Sequence, residues 1–599
     1  MSLIVPARRE YRVVTETDVP MQTRDGVTLY ADIVRPDAPG RFPVLLSRTP
    51  YGKGGSTDPN GPNTFFARYG YVSVTQDCRG RWSSEGEYDT IFQEAADGYD
   101  AVEWAARLPW SNGRVGTTGQ SYLGLTQYLI ACTDPMPPSL QVMAPVSASS
   151  DYHQSWIYHT GGASLWGWLV PYAIFKGRNT LRRAGRDDLV ERVASYIDGE
   201  HTMMRKTPFG LNFTTPLTED WFRHLPIADW GELLAETAPY FAEHVAHADD
   251  GPYWYRANVN RHAASVTVPM LHVTSWYDIF AEGGPNAYRS VKDHSRFPAA
   301  RNGQRLIIGP WGHLLPYSVP STRGAGDIDF GPEAMIDLNQ TLLRWFDHWL
   351  YDAANGIMDE PPVTVFTLGE NRWQHLDDWP PPNMRAVRWY LHSAGDANSL
   401  GGGGTLSMVP PGADEPDDSF DYDPADPVPT LGGNNLIIDM GVQDQRPVEE
   451  RRDVLVFTSE PLPRPLEITG PIRVELWATS SAVDTDFTAK LVDVRPDGYA
   501  MNLQDGMIRA RYRDSASEPV AMEPGRPYRF EIDLWNTSNV FLPGHRIRVE
   551  ISSSNFPRFD RNLNTGEAFG EGSTGVVAHQ TVFHRADRPS CVVLPVIPR

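Results

Sequence analysis

Near the start of the chain apolar positions alternate with polar ones, in YRVVTETDVPMQ and then VTLYADIVRP, on either side of Arg24-Asp25-Gly26. Period-two alternation around such a triplet predicts an antiparallel hairpin over residues 11–35. The pattern then changes. Short apolar runs, FPVLLSR (42–48), GYVSVTQD (70–77) and RVGTTG (114–119), are separated by helix-like stretches such as DGYDAVEWAARL (97–108). SYLGLTQYLIAC reads as a buried helix, and LQVMAPVSA (140–148) as a further strand. Strands alternating with helices predict a parallel sheet with crossover connections.

From about 149 to 264 strand-like runs are few. DYHQSWIYHTGGASLWGWLVPYA and the charged DDLVERVASYIDGE predict a mainly helical insertion. The alternation returns at VPMLHVTSWYD (268–278) and QRLIIGPWGH (304–313), and EAMIDLNQTLLRWFDHWL (333–350) predicts a closing helix. Beyond about 360 the period becomes two. VTVFTLG, AVRWYLHS, PIRVELWATS, FTAKLVDVRPDG, GMIRARYR, YRFEIDLWN and HRIRVEISSS alternate between Gly, Pro and Asp turns, which predicts a β-sandwich or jelly roll. SLGGGG (399–404) and PGADEPDDSFDYDPADP read as ordered surface crossings, and no 20–50-residue repeat stands out. The expected division is an α/β core over 1–148 and 265–358, a helical cap over 149–264 and a jelly roll over 359–599.

Composition narrows the function. With 41% hydrophobic residues the chain is too apolar for disorder. Its 53 basic and 75 acidic residues leave a net charge of −22, which repels phosphate backbones and anionic lipid, so neither nucleic acid nor membrane is an expected partner. Cys78, Cys132 and Cys591 are too few and too scattered for a disulfide framework or a zinc site. No signal-like leader and no apolar run of about 18 residues is present, so a cytoplasmic location is expected.

The chemistry concentrates at Gly113-Arg-Val-Gly-Thr-Thr-Gly119-Gln120-Ser121-Tyr122-Leu123-Gly124. A serine on a tight strand-to-helix turn projects its hydroxyl above the sheet, and the N–H of the next residue, Tyr122, faces a substrate oxyanion. Gly119 relieves crowding in that turn, and Gly124 lets the helix approach the sheet. The generic elbow has glycine where this chain has Leu123; by pattern alone an ordinary loop fits as well. A triad in the order Ser, acid, His requires later partners. Asp278 ends one strand-like run and His313 follows another, where an open α/β sheet places reactive groups. His272 lies inside a strand and is expected to pack; His153 and His159 flank the pocket without a partner pattern. No HExxH, CxxC or EF-hand spacing occurs, so no metal or other cofactor is expected.

RTPYGK (48–53), DCRGRWSSEGE (77–87), GQSYLG, SWYDIF, GPWGH, YDPADPVPTLGG (422–433), DTDFTAKLVDVRPDG (484–498) and ISSSNFPRFDRN (551–562) together resemble one group. It is the α/β-hydrolases related to bacterial cocaine esterase, α-amino-acid ester hydrolases, glutaryl acylases and X-Pro dipeptidyl peptidases, also named CocE/NonD or S15-type. The resemblance runs over essentially the whole chain. It implies an α/β-hydrolase core with an inserted helical cap and a C-terminal jelly roll, with Ser121 as nucleophile, Asp278 as acid and His313 as base. It further implies that the Tyr51 hydroxyl joins the Tyr122 N–H at the oxyanion. Arg79 and Glu85 are read as an ion-pair brace for the loop of Tyr51, with a catalytic role as the alternative. A homodimer is an expectation of the resemblance alone.

The α-amino-acid ester hydrolases carry acidic residues two and three places after the triad aspartate. Here Phe280 and Ala281 stand there, and Glu282 is out of register. Asp151 is read as a helix N-cap, with a carboxylate at the cap entrance as the alternative. X-Pro dipeptidyl peptidases usually carry an N-terminal extension, for which Ser121 sits too early. Trp156, Ile157, Trp166 and Phe280 are the expected pocket wall, suited to a small aromatic or hydrophobic acyl group. The expected activity is a serine carboxylesterase on small-molecule esters. The alternatives are an amide-cleaving acylase or aminopeptidase, and a carbohydrate-binding protein acting through its jelly roll.

Overall fold

The computed structural model describes residues 10–190, 204–207, 210–213, 222–313 and 324–599. Its first sheet has ten strands: Val13–Gln22 (β1), Thr28–Pro36 (β2), Phe42–Thr49 (β3), Val72–Asp77 (β4), Ser111–Gln120 (β5), Leu140–Val146 (β6), Met270–Ser275 (β7), Gln304–Gly309 (β8), Val363–Thr367 (β9) and Arg372–Leu376 (β10). Their spatial order is β1-β2-β4-β3-β5-β6-β7-β8-β9-β10. From β4 to β9 every neighbouring pair is parallel. Every residue of β3, β4 and β7 is buried, as strands covered on both faces must be. The helices Pro62–Arg68 (α1), Glu94–Ala106 (α2), Tyr122–Ala131 (α3), Gly283–His294 (α5) and Leu338–Tyr351 (α6) supply the covers. The α/β-hydrolase core is therefore closed by elements on both sides of the insertion.

Within the insertion lies the long helix Trp166–Arg183 (α4), with Pro171 inside its first turns. A short hairpin, Met204–Thr207 with Gly210–Phe213, adds strand structure to the expected helices. Part of the helical stretch 187–200 lies outside the described residues. Asp151 caps the turn at the start of the insertion: Oδ1 accepts from the N–H groups of His153 at 3.0 Å and Gln154 at 3.2 Å, and Oδ2 from Asn258 at 2.6 Å.

One expectation is corrected. VTVFTLG, counted among the sandwich strands, forms β9 instead and pairs in parallel with β8. A short Val-Thr-Val-Phe-Thr strand one in from the sheet edge alternates just as a sandwich strand does, so period alone cannot assign it to a sheet. The C-terminal sandwich begins at Arg385 and contains eleven described strands. It is not an appendage. Leu306, Ile308 and Val363 of the first sheet share one buried cluster with Val474, Phe530 and Ile547 of the sandwich. Among the described residues no helix is long and apolar enough to cross a membrane.

Candidate active site

Ser121 stands between β5 and α3 with φ 63° and ψ −125°, a conformation that costs a non-glycine residue strain. Its N–H donates to the Val146 carbonyl at 2.9 Å, tying the turn to β6. A Cβ at residue 119 would sit 2.4 Å from the Leu123 Cβ, and one at residue 124 would sit 2.7 Å from that of Ala148. Both glycines are thus demanded by close approach. Tyr122 is the first residue of α3, and an N–H in that position has no intrahelical acceptor.

His313 follows β8, and its Nδ1 lies 3.0 Å from the Asp278 Oδ1, with both side chains buried. The same carboxylate oxygen accepts from the Phe280 N–H at 2.8 Å. The Gly312 carbonyl accepts from the Ser275 hydroxyl at 2.9 Å, and Gln120 beside the nucleophile donates to the His313 carbonyl. An imidazole held through Nδ1 by a carboxylate has one tautomer favoured and Nε2 free to take a proton.

The Tyr51 hydroxyl lies 3.0 Å from the Tyr172 hydroxyl of α4. Burial pushes the Tyr51 phenol up to about 12, against the opposing pull of the Tyr172 and Ser121 hydroxyls, so it stays protonated and able to donate. Its loop is held by Arg81 and Trp82, whose Nε and Nε1 both donate to the Pro50 carbonyl, at 3.0 and 3.2 Å. Arg79 and Glu85 do not pair with each other. Arg79 bonds Asp97 and Asp25, and Glu85 accepts from the Thr28 N–H. The bracing expected of them is done by Arg81, a neighbour in the same motif.

Ser121, His313 and Tyr51 open onto one cavity of about 520 Å³. Its apolar wall is Leu123, Trp168, Tyr172, Phe175, Leu436 and Ile437. Among the described residues the lining includes no aspartate or glutamate, and its one lysine, Lys53, is bonded to Asp18 at 2.6 Å. Trp156, Ile157, Trp166 and Phe280 do not line this cavity. Trp156 and Phe280 stack on each other at 4.4 Å, and the Phe280 edge meets the His313 ring at 5.4 Å. Trp166 donates its indole N–H to the Phe222 carbonyl, and Ile157 is buried in the same cluster. Trp156 and Phe280 pack against the wall residue Trp168, at 5.6 and 5.7 Å, and Trp166, two residues before Trp168, stands on another face of α4.

The sequence profile of the X-Pro dipeptidyl-peptidase (S15 family) matches residues 25–315, and that of the X-Pro dipeptidyl-peptidase C-terminal non-catalytic domain matches residues 355–593. Cocaine esterase of Rhodococcus sp. (strain MB1 Bresler) is 38% identical over 614 residues, spanning 98% of this chain and 99% of the relative. The chain belongs to this S15, or cocaine esterase, family. Among solved structures, an aminopeptidase from the marine sediment archaeon Thaumarchaeota archaeon superposes with a TM-score of 0.81 at 26% identity, covering 100% of this chain and 98% of the other. An α-amino acid ester hydrolase superposes with a TM-score of 0.78 at 26% identity, covering 99% and 98%. With the site described above, this S15-family member is an esterase of the α/β-hydrolase fold.

The remaining candidates fall outside the cavity. His272 is a satisfied core histidine between the Tyr128 hydroxyl at 2.7 Å and the Gln304 amide at 2.8 Å, and burial pushes its pKa down to about 4. His153 bonds the Ala248 carbonyl, and His159 stacks on Trp535. Glu282 accepts from the Asn536 side chain, at the seam with the sandwich. Leu436 and Ile437 arrive from the C-terminal region, and no local signal in the sequence marks them. Tyr172 carried a readable one: Trp168, Tyr172 and Phe175 repeat at helical spacing along one face.

Proposed function

We propose that this esterase cleaves carboxylic esters of small aromatic or hydrophobic acyl groups through an acyl-enzyme on Ser121. The observation that carries the reading is the aromatic-walled cavity, free of carboxylates among the described residues, onto which Ser121, His313 and Tyr51 all open. In this reading His313 takes the Ser121 proton as the hydroxyl attacks the acyl carbon. Asp278 holds the imidazole in register and offsets its positive charge. Tyr51 and the Tyr122 N–H receive the oxyanion. The alcohol leaves with the proton from His313, and water, activated by the same histidine, releases the acid.

Amide cleavage is the second reading, because the same groups serve both reactions. An aminopeptidase must seat a substrate ammonium, and among the described residues the wall has no Asp or Glu to offer it a counter-charge. The proposal extends to a cytoplasmic enzyme on small-molecule substrates: Cys78, Cys132 and Cys591 are all free thiols, as in a reducing compartment.

Paired p-nitrophenyl esters and p-nitroanilides, with acyl groups from acetyl to benzoyl, test this on wild type and Ser121→Ala. Ester cleavage far above anilide cleavage, rising toward benzoyl and lost in the variant, is the expected result. Faster anilide cleavage moves the enzyme to the acylase or peptidase reading. Equal activity in Ser121→Ala overturns the site.

A further inference from the structure

Lys176 of α4 is 2% exposed, and among the described residues its Nζ makes no carboxylate salt bridge. It sits instead among four tyrosines. Nζ lies 4.3 Å from the ring centroid of Tyr172, 4.7 Å from Tyr88, 5.0 Å from Tyr240 and 5.4 Å from Tyr122. It also donates to the Tyr88 hydroxyl at 2.7 Å and the Thr90 hydroxyl at 3.3 Å. Two oxygens and a ring face offer each N–H of an ammonium an acceptor. Tyr172 is four residues before Lys176, on the same helix face, and its hydroxyl is the one that bonds Tyr51.

We propose that Lys176 is a positioning residue for the oxyanion donor, holding and polarising Tyr172 so that Tyr172 donates to the Tyr51 oxygen and leaves the Tyr51 proton for the substrate. A cation over the Tyr172 ring makes that phenol a stronger donor, and a donor to its oxygen makes Tyr51 a stronger donor in turn. The inference rests on the oxyanion role proposed for Tyr51.

The groups facing Nζ are Cys78, Arg81, Tyr88 and Thr90 from the segment between β4 and α2, Glu94 of α2, Tyr122 of α3, Tyr172 of α4, and Tyr240 and His244 of the cap. Burial and Arg81 push the lysine well below its ordinary range, with Glu94 and Cys78 opposing them. Its charge is therefore lost at a lower pH than that of a free lysine. Tyr51, pushed up to about 12, titrates later.

The experiment measures kcat and KM for p-nitrophenyl benzoate from neutral to alkaline pH. It compares wild type with Lys176→Met, Tyr172→Phe, Tyr51→Phe and the double variant Tyr51→Phe/Lys176→Met. Expected are a roughly tenfold fall in kcat for Lys176→Met with KM within about twofold, a similar fall for Tyr172→Phe, and a changed pH profile in Lys176→Met. Added to Tyr51→Phe, the lysine change costs nothing further. A folded Lys176→Met with wild-type kcat, or losses that add to those of Tyr51→Phe, overturns the proposal. Should Lys176→Met fail to fold, Tyr172→Phe decides alone, and wild-type kcat there sinks it. If Tyr51→Phe is itself silent, the oxyanion reading falls too; if it is costly while both others are silent, only this inference falls.

Discussion

Asn434, from the C-terminal region, donates through Nδ2 to the backbone carbonyl of Asp278 at 3.3 Å and to that of Trp276 at 2.5 Å. The next residue, Asn435, forms an isolated parallel bridge with Asp278. The carboxylate that holds His313 is thus carried on a core loop whose backbone is fastened by the sandwich side. Leu436 and Ile437, two and three residues on, reach the cavity wall. The same segment positions the acid and shapes the pocket.

Asn434→Ala removes one donor from each carbonyl, while Asp278 keeps the Ala281 N–H at 3.0 Å and Trp276 the Gln504 amide at 3.0 Å. Losing a hydrogen bond of this kind while the acceptor keeps another donor costs about 0.5–1.5 kcal/mol. The expected outcome is a folded enzyme with a lowered melting midpoint, kcat down by about tenfold and KM little changed. Steady-state kinetics with thermal melting checks it; an unchanged kcat would show that the loop stands without its brace.

Gly119→Ala tests the elbow. At φ 141° a side chain is strained, and its Cβ would lie 2.4 Å from that of Leu123. Since Leu123 is part of the cavity wall, the turn and the pocket must shift together. Loss of kcat by at least about 10²-fold is expected, since small misplacements of reacting groups are that costly. Active-site titration with a phosphonate ester would show slowed labelling of Ser121; labelling at the wild-type rate contradicts the argument.

These two sites differ in how far they could be read from the chain. The elbow was legible because its constraints are local: a glycine two before the serine and another three after it, between a strand and a helix. Asp278 and His313 were legible as residues just past apolar runs. The sheet followed from the same alternation, except that β9 reads like a sandwich strand. The pocket wall was not legible, because an aromatic-rich segment does not state which helix face it turns inward. Trp156 and Phe280 face each other behind the wall, whereas Trp168, Tyr172 and Phe175 face the cavity. Asn434, Leu436 and Ile437 depend on the packing of distant segments, which no local period encodes.

Trp168 gives the specificity prediction. It stacks on Tyr172 at 4.2 Å and presents its edge to Phe280 at 5.7 Å and Trp156 at 5.6 Å, closing the cavity on the cap side. Trp168→Ala opens that wall and forfeits an aromatic contact worth about 0.5–1.5 kcal/mol beyond its buried area. For benzoyl esters kcat/KM is expected to fall about tenfold. Acetyl esters are expected to change little, and bulkier naphthoyl esters to improve relative to benzoyl. A parallel loss on all three acyl groups would place Trp168 in structural support rather than in acyl recognition.

Glu282 supplies a pH dependence of stability. It immediately precedes α5 at the seam between core and sandwich, where both carboxylate oxygens accept from Asn536. Burial pushes its pKa up to about 8, and Asp533 across the seam adds to the rise. A carboxyl raised above its unfolded value of about 4.3 keeps a proton in the folded state that the unfolded chain has released. The folded state is then favoured most at low pH, and this contribution is lost as pH climbs from about 4.3 through about 8. Wild type should therefore lose several degrees of melting midpoint between pH 5 and pH 8 from this group. Glu282→Gln, which has no charge to bury, should flatten that slope and melt higher than wild type at pH 8. Melting curves across the interval, followed by tryptophan fluorescence, decide it: identical slopes in the two proteins would mean that the Asn536 hydrogen bonds hold Glu282 ionised.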